Sequence, residues 1–130
     1  MLGEKIGEQK GRVTGRRVLE GARVETSFAG RGMLLGIPTQ EMGTYISAMR
    51  DDGTLIGEGR GIMMGENGEM ATWTGGGVGR FNGDGSMSFR GAIYYYSKTP
   101  TFKRLNAFAA VFEHEADTAG NANTTVWEWK

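Results

Sequence analysis

Glu58, Arg60, Trp73, Arg90 and Tyr94 are the residues of this chain whose types and spacing could do chemistry. A carboxylate, two guanidinium groups, an indole and a phenol gathered on one sheet face would line a mostly apolar pocket with a few fixed polar groups. That is the usual make-up of a small-ligand site. An arginine held there favours a carboxylate or enolate oxygen on the ligand, because its planar fork of donors matches two acceptor oxygens. Preorganised Glu58 and Arg90 could instead polarise a substrate, as in a barrel isomerase or cyclase. Turned to solvent, the same residues become cross-strand ion pairs and aromatics that cover glycines, worth under about 1 kcal/mol per pair.

Whether these side chains share a face depends on two turns. Residues 54–65, 69–81 and 86–97 (TLIGEGRGIMMG, EMATWTGGGVGRF and SMSFRGAIYYYS) alternate in character and are joined by Glu66-Asn67-Gly68 and Asn82-Gly83-Asp84-Gly85. Asn-Gly and Asp-Gly between alternating runs are the strongest short-range hairpin signal, so the segments form a meander. A two-residue turn at Asn67-Gly68 pairs Ile62 with Trp73, Arg60 with Gly75 and Glu58 with Gly77. A turn centred on Asp84-Gly85 pairs Gly75 with Tyr94, Gly77 with Ala92 and Gly79 with Arg90. In this register the five residues lie on one face, and Gly75, Gly77 and Gly79 leave space between them. The opposite face, with Leu55, Met63, Val78, Phe89 and Ile93, is an equally credible core, so the face that lines the interior stays open.

The flanking chain reads as more strand. Val24, Thr26 and Phe28 alternate with Arg23, Glu25 and Ser27, and Glu41–Met49 forms another strand after a loop at 36–40. Gly30 and Gly32 are expected to bend the chain or form a bulge. Residues 98–103 with Pro100 make a longer connection of turn or helical geometry, alternation resumes over 104–115, and residues 123–130 close the chain as a strand. Residues 1–11, charged and glycine-punctuated, are expected as a loose arm. The result is one domain over 1–130: an all-β, antiparallel up-and-down barrel of about eight strands, with a two-sheet sandwich as the alternative.

Composition narrows the function classes. The 130 residues hold 23 glycines but two prolines and an ordinary aromatic content, which fits a glycine-rich β domain rather than disorder. Fifteen basic and fifteen acidic residues are interspersed, so no field steers the chain to nucleic acid or an anionic membrane. There is no cysteine, which suits the cytoplasm, and one histidine, which leaves no metal site and no Ser/His/Asp arrangement. No signal peptide or apolar membrane span is legible, and the glycine runs lack phosphate-loop spacing, so no cofactor is expected. Glu113 and Glu115 lie roughly 7 Å apart on one strand face. His114 points away from both.

The motifs GEGRGI (57–62), GEMATW (68–73), GVGRF (77–81) and RGAIYY (90–95), with RLN, VFEHE and WEWK near the end, resemble a family of small microbial proteins of unknown function. Its members have a calycin-like barrel, similar in architecture to the allene oxide cyclase barrels. The resemblance implies that fold and a ligand-carrying or cyclase-like use of it, and transfers no site residues. Three functions stay open: a module binding a small apolar, amphipathic or carboxylate-bearing ligand, a barrel isomerase or cyclase, and a structural barrel that self-associates as a homo-oligomer.

Overall fold

The computed structural model describes residues 2–130. Its strands are β1 (Leu2–Leu19), β2 (Arg23–Leu34), β3 (Ile37–Met49), β4 (Leu55–Gly65), β5 (Met70–Phe81), β6 (Met87–Tyr96), β7 (Ala110–Ala116) and β8 (Asn121–Trp129). Each strand pairs antiparallel with the next, and β8 returns to β1, so the sheet is a closed eight-stranded barrel. Closure leaves no edge to protect and removes the sandwich alternative. No helix among the described residues is long and apolar enough to cross a membrane.

The opening residues are strand, not a loose arm; position 1 lies outside the described residues. Residues from Leu2 pair with β8, and from Gly7 also with β2. The charged composition hides an inward set in which Ile6 and Gln9 are buried. Gly11 lets the backbones of β1 and β2 come so close that a Cβ would strike the Ala29 carbonyl oxygen. The expected irregularity at Gly30 and Gly32 falls instead in β1, between Val13 and Gly15. The loop expected at 36–40 shrinks to a two-residue turn at Leu35-Gly36, both with positive φ. The long connection is a 3₁₀ segment, Pro100–Ala107, whose Phe102 and Leu105 are fully buried against the core at one end of the barrel. It displaces the start of β7 to Ala110, later than the alternation from residue 104 suggested.

The turns set a register one residue away from the expected one. The β4–β5 loop has three residues, Glu66-Asn67-Gly68, closed by a hydrogen bond from Gly65 N to Glu69 O at 2.9 Å, with only Gly68 at positive φ. The β5–β6 loop repeats this design: Asn82 N donates to Ser86 O at 2.8 Å around Gly83-Asp84-Gly85, with φ +88° at Gly85. Glu58 therefore pairs with Gly76 rather than Gly77, Arg60 with Thr74, and Arg90 with Val78. A one-residue slip exchanges the faces of a strand relative to its neighbour. Gly57, Gly59 and Gly61 now share the inner face with Trp73, Gly75 and Gly77, while Glu58, Arg60, Arg90 and Tyr94 share the outer one.

Gly75, Gly77 and Gly79 do not hold space open. A Cβ on Gly75 would lie 2.7 Å from Ala92 O, and one on Gly77 2.6 Å from Arg90 O. On Gly79 it would lie 2.6 Å from the Phe89 ring. Gly61 and Gly43 likewise accommodate the Trp73 and Phe28 rings. These glycines allow a narrow barrel to coil and to seat large inward rings.

Candidate functional site

Of the five candidate ligand-binding residues, Glu58, Arg60, Trp73, Arg90 and Tyr94, the structure brings only Trp73 to the interior. Arg90 is on the outer wall, where its guanidinium lies 2.8 Å from Glu115 and 3.6 Å from Glu113. These side chains are nearly half exposed, and such pairs contribute under about 1 kcal/mol. Arg60 and Tyr94 flank Thr74 in register, and Glu58 lies one step along the sheet toward Arg90's row. All three line outer clefts. Leu55, Met63, Phe89 and Ile93 of the competing face are buried as a core requires, whereas Val78 is outside. His114 points inward and Glu113 and Glu115 outward, so the histidine is indeed separated from both.

A second site lies inside the barrel. A cavity of about 70 Å³ is walled by aromatic side chains, among them Phe28, Tyr45, Trp73, Phe89 and Tyr95. A polar arc crosses this wall. His114 Nδ1 lies 2.7 Å from Thr124 Oγ1, Thr124 is the strand partner of Gln9, and Gln9 Nε2 donates to Thr39 Oγ1 at 2.8 Å. Two residues further along β3, Glu41 Oε2 accepts a 2.9 Å hydrogen bond from Trp73 Nε1. The rings of Phe28 and Tyr45 stand 5.5 and 5.7 Å from that of His114, centre to centre.

Two buried polar atoms of residues that line the cavity, Gln9 Oε1 and His114 Nε2, have no partner among the described residues, and the Tyr45 hydroxyl, in the same wall, lies beside the side chain of its strand partner Thr26. An unmet buried polar group costs about 1–3 kcal/mol, so native interiors rarely keep several in one place. The electrostatics of this wall are dominated by desolvation. Burial pushes the Glu41 carboxyl up to about 7, against the opposing pull of the Trp73 hydrogen bond. Burial lowers His114 to about 4, so its imidazole is neutral, and raises the phenol of Tyr45. Tyr95 is raised by burial and by the neighbouring Glu41.

Sequence reasoning missed Glu41, Gln9 and Tyr45. One signal was present: strand alternation places Glu41, Gly43 and Tyr45 on one face of β3, the face opposite Met42 and Thr44. The correct register then sets that face beside Trp73. No group of three His, Cys, Asp or Glu residues that could hold a metal exists among the described residues.

No protein-family model matches the chain, and no curated protein matches it. Solved structures do. A conserved protein of unknown function from Rhodopseudomonas palustris superposes with a TM-score of 0.81 at 14% identity, over 98% of this chain and 97% of that one. A protein of unknown function from Clostridium acetobutylicum gives 0.82 at 13% identity, covering 98% of each chain. A β-barrel-like protein from Acinetobacter baumannii gives 0.82 at 12% identity, over 100% of this chain and 96% of that one. At such identities the likeness is one of fold, and the chain is similar throughout its length to small barrels of unknown function.

Proposed function

We propose that this barrel is a binding module that takes up one small amphipathic molecule in its interior. The observation that carries this reading is a pair of buried atoms without partners among the described residues, Gln9 Oε1 and His114 Nε2, on residues that line one aromatic-walled cavity, with the Tyr45 hydroxyl in the same wall. Apolar walls with a few aimed polar groups suit a ligand with an apolar body and one polar end. The size is restrictive. At about 70 Å³ the cavity is roughly half the ~150 Å³ that accepts benzene. It therefore suits a molecule of only a few heavy atoms. A carboxylate on the ligand loses its rationale, because the arginines meant to receive it, Arg60 and Arg90, stand outside. The isomerase or cyclase alternative through Glu58 and Arg90 loses its geometry too, since Arg90 is engaged by Glu113 and Glu115 on the outer wall. A ligand-carrying use is also what the calycin-like resemblance implies.

The test uses 1-propanol as probe and Gly57→Ala as variant. Gly57 lines the cavity, and a Cβ there would meet Ile46 O at 3.5 Å and Phe89 Cε1 at 3.6 Å, ordinary contacts. The substitution should keep stability or raise it by about 0.4–1 kcal/mol through the unfolded chain. By filling the cavity in part, it should weaken the probe about tenfold. Amide shifts in the NMR spectrum should move at Glu41, Trp73 and His114. Shifts confined to the outer strand faces, or equal affinity in the variant, would sink the reading.

A second, compatible reading is self-association through the outer wall. Met42, Tyr94 and Tyr96 lie on neighbouring rows of that wall and are 56%, 56% and 57% exposed. Sedimentation equilibrium should show a dimer that Tyr96→Ser weakens; a monomer at high protein concentration would dismiss it.

A further inference from the structure

The charge balance of the cavity points to the kind of molecule it takes, an inference that rests on the interior-binding reading above. Glu41 is 6% exposed, and the influences acting on its carboxyl group are burial and the Trp73 indole; no cation among the described residues is paired with it. The indole engages Oε2, which leaves Oε1 for another donor. The other polar atoms of the wall can all accept. Gln9 Oε1 and the Tyr45 oxygen do so directly, and His114 Nε2 does so in the tautomer whose Nδ1–H donates to Thr124 Oγ1. The rest of the wall is largely ring surface, and aromatic faces attract cations. A buried carboxyl without a counter-charge, spare acceptors and aromatic faces are together complementary to a compact cation with N–H donors.

We propose that the interior site binds a small protonated primary amine, its ammonium group hydrogen-bonded to Glu41 and its hydrocarbon part against the inner rings. The ammonium offers three donors, enough to reach Glu41 and other free acceptors of the wall. It also supplies the counter-charge that a carboxylate needs in order to stay ionised away from water. A metal ion is the poorer match, since among the described residues Glu41 is the one carboxylate side chain turned into the cavity; Glu8 and Glu58 belong to the wall with side chains on the outer face. The other titratable groups facing the cavity are Tyr45 on β3, Tyr95 on β6 and His114 on β7, with Arg16 of β1 acting on Tyr45 through its charge. Near neutral pH the two phenols and the imidazole carry no charge, so Glu41 alone decides the sign of the site.

The experiment compares propylammonium with 1-propanol, which has the same number of heavy atoms, by titration calorimetry from pH 5 to 8. At pH 8 propylammonium should bind about tenfold or more tightly than the alcohol, through a charge-assisted hydrogen bond the alcohol lacks. Below pH 7 the preference should shrink, and binding should release about one proton per ligand, seen as a dependence of the heat on the buffer's ionisation enthalpy. Glu41→Gln keeps the acceptor for Trp73 and should lose the preference while still binding 1-propanol. Glu41→Met provides a second variant should the amide fail to fold, and the proton release requires no variant. If 1-propanol binds at least as tightly as propylammonium, or if the preference survives in Glu41→Gln, the amine assignment is overturned and interior binding stands. If neither probe binds, both readings fall.

Discussion

Phe102→Ala is expected to remove about 3–5 kcal/mol of folding stability, the range for truncating a large aromatic side chain in a core. Phe102 and Leu105 are 0% exposed, although they lie in a connection between strands. Their segment is clamped at both ends. Phe102 N donates to Thr99 O at 3.0 Å, and the Asn106 side chain bonds both backbone groups of Ser97, each at 2.8 Å. Such a brace limits how far the chain can collapse into the vacated volume, which keeps the loss near the upper end. Since total stabilities are about 5–15 kcal/mol, the variant should unfold at a much lower urea concentration. Tyr94→Ala, an aromatic truncation on the outer wall, should lower stability by less than about 1 kcal/mol. Equal losses from the two would show that the segment is not part of the core.

What was legible in the sequence was the content of each strand, and what was not was the offset between strands. Alternation kept Glu58 with Arg60 and separated His114 from Glu113 and Glu115, because the side-chain period of two is a property of one strand alone. Pairing depends on loop length. An Asn-Gly dipeptide can be a whole two-residue turn, with positive φ at both positions, or the end of a three-residue loop with positive φ only at the glycine. The chain uses the second form at Gly68, and the same form at Gly53, Gly85 and Gly120. Its two-residue β-turn, at Leu35-Gly36, puts a leucine at φ +50°, a residue type that gives no such signal. The slip placed the inward Trp73 among outward charges, and so produced a coherent site that the barrel divides. Glu41 was hidden for a different reason. A carboxylate in an alternating strand is expected in water, and its burial becomes visible only once Trp73 is known to donate to it.

The same buried carboxyl, set against His114, is expected to give the wild-type protein a nearly flat stability profile between about pH 4.5 and 6.5 that hides two opposing slopes. Glu41 has its pKa raised from 4.5 to about 7 on folding. Over that interval the folded chain keeps a proton that the unfolded chain has released, so stability is fully present below 4.5 and falls as pH rises toward 7. His114 has its pKa lowered from 6.5 to about 4. Here the unfolded chain takes up a proton that the folded chain refuses, so stability present above 6.5 is lost as pH falls toward 4. Each shift corresponds to about 3 kcal/mol over its full range, and across the shared interval the two largely cancel. Exposed carboxylates with lowered pKa, such as Asp52, Asp84 and Asp117, begin from 3.8 and act below this window. Removing either partner should uncover the other. Glu41→Gln should give a stability that climbs by roughly 2–3 kcal/mol from pH 4.5 to 6.5, and His114→Phe one that declines by a similar amount. Urea midpoints measured at half-unit steps of pH would show the two slopes. A flat profile in Glu41→Gln would mean that the barrel interior is wet enough to let both groups titrate as they do in water.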